Sequence, residues 1–265
     1  MSIDSGTVIG IGTVIGTDQD IDVDLVVVLV GALWGALTGA LLPRAAYRFC
    51  VPAGEAWRDL CPWEHPVRGW LGPARCGRCA AGHTSYGPRA ASLAVVTALV
   101  CAALAAATGT RPEVAVWLLL APAGVLLAAV DLKVRRLPDP LTLPLAGAAL
   151  VLLGLTSLVP EHAGEWTTAL LGALALGAGY LVLFLVNPAG MGFGDVKLAL
   201  TAGAVLGWYG WPTLMLGTFA GFLLGALYGG ALLVARRADR KTAIPFGPFL
   251  IAGAFLGVLA GAYAA

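Results

Sequence analysis

Charge is what this sequence has least of. Only 12% of its 265 residues are Asp, Glu, Lys or Arg, while 59% are apolar and mean hydropathy is +0.86. A soluble domain carries about 25% charged residues, so an ordinary water-soluble globule is excluded. The net charge of +1 offers no basic surplus for a nucleic-acid partner. No Gly-rich dinucleotide-type loop follows a predicted strand. The acidic, Gly/Thr/Val-rich first 24 residues lack the basic opening of a secretory signal peptide and twice repeat TVIG, from Thr7 and Thr13; they read as an extracytoplasmic, disordered tail.

What is abundant is glycine, 36 residues, together with long apolar runs. Small residues let helices approach closely in lipid, where no hydrophobic drive joins them. A spanning helix needs roughly 17–25 mostly apolar residues, and the runs predict spans at 25–42, 91–108, 113–130, 141–159, 167–186, 196–209, 212–235 and 245–264. The sixth is short, with Trp211-Pro212 as the turn after it. The expected fold is an all-α, polytopic membrane bundle of about eight helices: residues 1–24 as the tail, 25–42 as the first span, 43–90 as an Arg/Cys-rich cytoplasmic loop, and 91–265 as a seven-helix membrane core.

The distribution of positive charge supports that count. With the N-terminus outside, the loops 43–90, 131–140, 187–197 and 236–244 hold fifteen of the sixteen Lys and Arg residues, leaving Arg111 outside. Cytoplasmic loops carry such an excess, so both termini are expected outside and the protein in the inner (plasma) membrane. Asp131 then ends the third span and Asp195 begins the sixth, at similar depth on the cytoplasmic side.

Acids at a membrane border are costly and mark function by default. Two close carboxylates cannot both ionise, so one holds a proton while the other activates water. That pairing hydrolyses a peptide bond without a cofactor. Each acid also has a plainer reading. Asp195, in GMGFGDVKL from Gly190 to Leu198, fits a helix N-cap, and Asp131 can be neutralised by Lys133, Arg135 or Arg136. Asp139 fits the N-cap of the fourth span and competes for the catalytic role. Gly192 and Gly194 allow close approach of a substrate strand. Lys197 stands two residues after Asp195, off its helical face.

Four of the five cysteines fall in the loop 43–90; Cys101, inside an apolar run, reads as a packing residue. Cys76 and Cys79 form a C-x-x-C knuckle able to grip one metal. Zinc would take Cys61, Cys76, Cys79 and one of Cys50, His65 or His83, with Cys50 put as the fourth of the set. The competing reading is free thiols in a compact Arg-rich loop. Its seven arginines fit a topology signal beside anionic headgroups, and Trp57, Trp63 and Trp70 fit interfacial contacts.

Three segments together resemble the type IV prepilin peptidase family of membrane aspartic proteases: DLKVRRLPD at 131–139, GMGFGDVKL at 190–198 and IPFGPFL at 244–250. The resemblance implies that Asp131 and Asp195 are the catalytic pair, with Gly192, Gly194, Lys197, Pro245 and Gly247 shaping the site. It also implies cleavage of a short basic leader from prepilin or pseudopilin precursors at the cytoplasmic face. Fuller members N-methylate the new N-terminus with S-adenosylmethionine, through a loop carrying two C-x-x-C pairs; here the first pair is missing. A rival reading of the same two aspartates is a small proton- or cation-coupled transporter.

Overall fold

The computed structural model describes residues 18–52, 54–79, 85–188, 190–235 and 245–265, with side chains from Val23 onward. The TVIG repeats, His83 and the basic residues 236–241 lie outside them. Eight helices follow in order: α1 (Asp18–Phe49), α2 (Ala90–Thr108), α3 (Glu113–Val134), α4 (Asp139–Thr156), α5 (Trp166–Val186), α6 (Phe193–Trp208), α7 (Trp211–Val234) and α8 (Gly247–Ala264). The all-α expectation holds, and no strand occurs among the described residues. The first helix runs further than 25–42 at both ends, because apolar and helix-favouring residues continue through Ala45, Ala46 and Tyr47.

Seven of the helices are long and apolar enough to cross a membrane. The exception is α6, whose 16 residues reach only about 24 Å at 1.5 Å per residue, against a hydrocarbon core of about 30 Å. Twelve of those residues are buried, so α6 meets protein rather than lipid over most of its surface. It packs on α4, α5, α7 and α8. A short helix is tolerated at membrane depth where neighbours surround it.

Glycine sets how close α5 and α6 come. A Cβ on Gly203 would strike the Gly172 carbonyl oxygen and sit 2.8 Å from Ala173 Cα, so neither backbone can retreat. The main core lies beside this contact, around Leu153, Ala173, Leu206 and Trp208.

Connections across the bundle place the ends of α1, α3 and α5 with the starts of α2, α4, α6 and α8. Arg136, just past α3, donates to the Pro52 carbonyl oxygen at 2.7 Å. Lys197 in α6 pairs with Asp139 in α4 at 2.7 Å. Phe184 near the end of α5 packs on Phe193 at the start of α6. At the opposite end the Glu165 N–H donates to the Trp208 carbonyl oxygen at 3.0 Å.

The segment between α1 and α2 is a small folded unit stapled to α1. Arg44 donates to the carbonyl oxygens of Arg68 (2.8 Å) and Leu71 (3.1 Å), and Arg48 to that of Gly69 (2.9 Å). The Arg48 guanidinium lies 4.1 Å from the Trp70 ring centre. Trp57 and Trp70 both pack on Phe49. Trp57 is half-buried against Phe49 while Trp70 packs on the same ring yet stays 40% exposed, and Arg44 and Arg48 act as internal ties. Replacing Gly203 with valine forces α5 and α6 apart and should cost about 1–3 kcal/mol or more; thermal unfolding in detergent should show a lowered midpoint or loss of folded protein.

Candidate active site and a thiol–imidazole cluster

Asp131 and Asp195 line one cavity of about 250 Å³ at the shared end of α3, α4 and α6, with Arg136, Leu137 and Lys197 among its walls. Both acids are buried, 4% and 7% exposed, yet border this open space. They face this one space from the last turn of α3 and the first turn of α6.

Each carboxylate is held by a backbone N–H from a different chain segment. Gly192 N–H donates to Asp195 Oδ2 at 3.2 Å, while Asp195 N–H returns a bond to the Gly192 carbonyl oxygen at 3.0 Å. Asp195 is thus the third residue of the first turn of α6, and Gly192 is the N-cap. Capping and catalysis do not compete here, since one carboxylate oxygen suffices for the cap. Gly247 N–H, at the start of α8, donates to Asp131 Oδ2 at 3.1 Å. A Cβ on Gly247 would lie 2.7 Å from that oxygen, so only glycine lets the α8 backbone reach the acid.

Leu137 sets the spacing and was not picked out from the sequence. It is 6% exposed and fills the space beside both Gly194 and Gly247, whose added Cβ atoms would come within 2.9 Å and 3.3 Å of it. The chain reaches it through Arg135, in a left-handed conformation (φ 52°), whose N–H closes α3 on the Asp131 carbonyl oxygen at 2.8 Å. The signal was the L-P-D of the motif, where Pro138 stops α3 from continuing.

Asp139 lines the same cavity as the two buried acids, but as an exposed, ion-paired carboxylate. It is the first residue of α4 rather than its N-cap, which is Pro138, and its side chain is 65% exposed and bound to Lys197. Lys197 also lies 5.0 Å from the Phe193 ring centre, at the cavity wall. Gly192 and Gly194 line the cavity; Pro245 does not, and stands two residues before Gly247.

The described part of the loop brings Cys61, His65, Cys76 and Cys79 together, with all four ligand atoms within 4.8 Å of one another. Cys50, expected as the fourth ligand, is not among them: it follows the last turn of α1 and packs near Phe49 and Leu126. His65 takes the place instead, through Nδ1. Zinc–sulfur bonds of about 2.3 Å and zinc–nitrogen bonds of about 2.0–2.1 Å give tetrahedral edges of about 3.8 and 3.6 Å. Cys61 and Cys79 sulfurs are 3.8 Å apart, and His65 Nδ1 is 3.7, 3.7 and 3.3 Å from Cys61, Cys76 and Cys79. The donor set fits zinc. The Arg78 backbone N–H lowers the Cys76 thiol, whereas burial and the neighbouring sulfurs push Cys79 up to about 12. Three thiols this close ionise together only with a cation among them.

Residues 116–230 match the type IV leader peptidase family. A prepilin leader peptidase/N-methyltransferase of Aeromonas salmonicida is 34% identical over 236 residues, covering 81% of this chain and 74% of the relative. The chain belongs to the type IV leader peptidase family. Two more relatives of the same printed name, from Pseudomonas aeruginosa and Stutzerimonas stutzeri, are 31% and 30% identical, covering 82% and 83% of this chain and 75% and 73% of theirs. No solved structure matches the chain.

The relatives' names include N-methyl transfer, a reaction for which the family resemblance implies S-adenosylmethionine as donor. Two cavities can be compared with that molecule, and neither suits it. The acid cavity falls below the roughly 300–1,000 Å³ of small-molecule sites, and the larger one, of about 450 Å³, is walled almost wholly by hydrocarbon.

Two outcomes follow from these geometries. Gly247→Ala pushes the Asp131 carboxylate aside; kcat should fall about 10- to 100-fold with KM little changed in steady-state cleavage. Purified protein should hold about one zinc per chain by elemental analysis. His65→Ala and Cys79→Ser should lose it, and Cys50→Ser should keep it.

Proposed function

We propose that this chain is the aspartic leader peptidase of pilin-like precursors, with Asp131 and Asp195 as the reacting pair. The observation that carries this is the burial of both acids against one cavity, each steadied on Oδ2 by a glycine N–H. The ionised carboxylate takes a proton from water, whose oxygen attacks the scissile carbonyl carbon. The protonated carboxylate gives its proton to the carbonyl oxygen; the gem-diol then collapses as one of its hydroxyl protons returns to that carboxylate, the proton taken from water passes to the leaving amine, and the C–N bond breaks. The pair emerges with one proton, ready for the next bond. Proteolysis so described needs no metal; zinc on Cys61, His65, Cys76 and Cys79 would act as a structural clamp for the loop.

The acid end faces the cytoplasm in this reading. Among the described residues, Arg111 is the one Lys or Arg at the other end, which accords with the positive-inside bias. Precursors of prepilin or pseudopilin type, with the cut at the inner rim of the plasma membrane, are the substrate class. N-methylation of the new N-terminus is carried by the relatives' names.

The transporter reading has nothing in its favour. Its acids belong near the bilayer midplane, whereas Asp131 and Asp195 sit in the last turn of α3 and the first turn of α6. Asp131→Asn and Asp195→Asn should each lower leader cleavage at least about 100-fold in membranes, without loss of inserted protein. Mass measurement of the precursor after incubation checks this, and wild-type cleavage by either variant removes that residue from the mechanism.

A further inference from the structure

Glu113, the first residue of α3, is a fully buried carboxylate at the end of the bundle opposite the acid pair, and the peptidase chemistry does not use it. Its Oε1 accepts hydrogen bonds from the Ala163 N–H at 3.3 Å and from the Tyr209 hydroxyl at 3.5 Å. Its Oε2 finds no partner among the described residues. The Trp117 indole N–H, one turn further along α3, donates to the same Tyr209 oxygen at 3.2 Å, and the two rings lie 5.9 Å apart. Glycine at 261 gives the Tyr209 ring its place against α8, since a Cβ there would come within 2.8 Å of it. Tyr209 is the residue that closes α6. Glu113 and Trp117 of α3 thus share one hydroxyl at the end of α6.

These are the two helices that carry the acids, and elsewhere they stand apart. No close backbone approach joins α3 to α6 among the described residues, and the larger cavity lies between them. Apolar packing around Trp117 and Leu206 holds them together without fixing how one slides on the other. The spacing of Asp131 from Asp195 therefore depends on how the helices are joined at their ends. At 1.5 Å per residue, Glu113 is about 27 Å along α3 from Asp131, and Tyr209 about 21 Å along α6 from Asp195. A helix is stiff over such a length, so slack in the outer tie reaches the inner ends. A shift of about 1 Å at reacting groups can cost about 100-fold in rate. A buried carboxylate is a costly tie if stability alone is asked of it; what it adds over an apolar contact is a fixed direction and register.

We infer that Glu113, acting through the Tyr209 hydroxyl that it shares with Trp117, is a positioning residue for the peptidase: it sets the slide and tilt of α6 against α3 and so the distance between Asp131 and Asp195. It touches no substrate and works only through those acids. The inference rests on the leader-peptidase reading above.

The test is steady-state cleavage of a leader-bearing peptide in detergent–lipid micelles, across pH, by the wild type, Glu113→Gln, Glu113→Ala and Tyr209→Phe. Glutamine keeps the oxygen that accepts both hydrogen bonds, alanine removes it, and phenylalanine keeps the ring while removing only the hydroxyl. Glu113→Ala and Tyr209→Phe should lower kcat about 10- to 100-fold with KM within about threefold of the wild type, and Glu113→Gln should hold kcat within about threefold. The two limbs of kcat/KM against pH should draw together in the alanine and phenylalanine variants, because acids further apart perturb each other less. An enzyme that is merely less stable holds fewer active molecules and leaves both limbs where they were. Should Glu113→Ala fail to insert, Tyr209→Phe against Glu113→Gln decides. Limbs in Tyr209→Phe spaced as in the wild type or wider, or a glutamine variant as impaired as the alanine or phenylalanine one, overturn the positioning role and leave the peptidase standing. A wild type that cleaves no leader-bearing peptide overturns both.

Discussion

Two buried carboxylates facing one small cavity are the constraint to which the rest of this molecule conforms. Burying even one ionised carboxylate costs several kcal/mol unless it is hydrogen-bonded or neutralised. Two together are tolerated when they share a proton and each has a fixed donor. The chain supplies those donors from two other helix starts, Gly192 before α6 and Gly247 in α8, while α3 brings Asp131. Three separate stretches of sequence therefore have to arrive at one point with sub-ångström tolerance.

The packing explains how they do. Gly194 and Gly247 have no side chains, so Leu137 can lie against both and act as the spacer between the ends of α3, α6 and α8. Further along, close contact of α5 on α6 through Gly172 and Gly203 fixes the depth of α6, a helix too short to be positioned by the bilayer itself. Its burial by four neighbours replaces lipid as the determinant of where Asp195 sits. The loop after α1 reaches the same point from the water side, because Arg136 lines the acid cavity while its guanidinium lies 4.7 Å from the Trp57 ring centre.

Hydropathy and the positive-inside bias made the helix count, the weak sixth span and the common side of Asp131 and Asp195 legible, because those depend on composition over long windows. The acids themselves stood out because charge is so scarce. What stayed hidden depends on pair distances. Spacing could not choose among Cys50, His65 and His83 as a fourth ligand, since a loop can present any of them; folding places His65 beside the three sulfurs and leaves Cys50 just past the end of α1. Arg44 and Arg48 looked like topology signals, but carbonyl oxygens 19 to 29 residues away accept their hydrogen bonds. Asp139 matched the acids in type and neighbourhood and lines the same cavity; its exposure and its ion pair with Lys197 set it apart. Leu137, an ordinary leucine in composition, acquires its role from two glycines distant in sequence.

Proton sharing by Asp131 and Asp195 is tested most directly by the pH dependence of kcat/KM for cleavage of a leader-bearing peptide. A pair that must hold one proton loses activity when both are protonated and again when both are ionised, so the profile should be bell-shaped with two limbs. A profile with a single limb, rising with pH to a plateau as a lone general base gives, would contradict a shared proton and with it the aspartate-pair account.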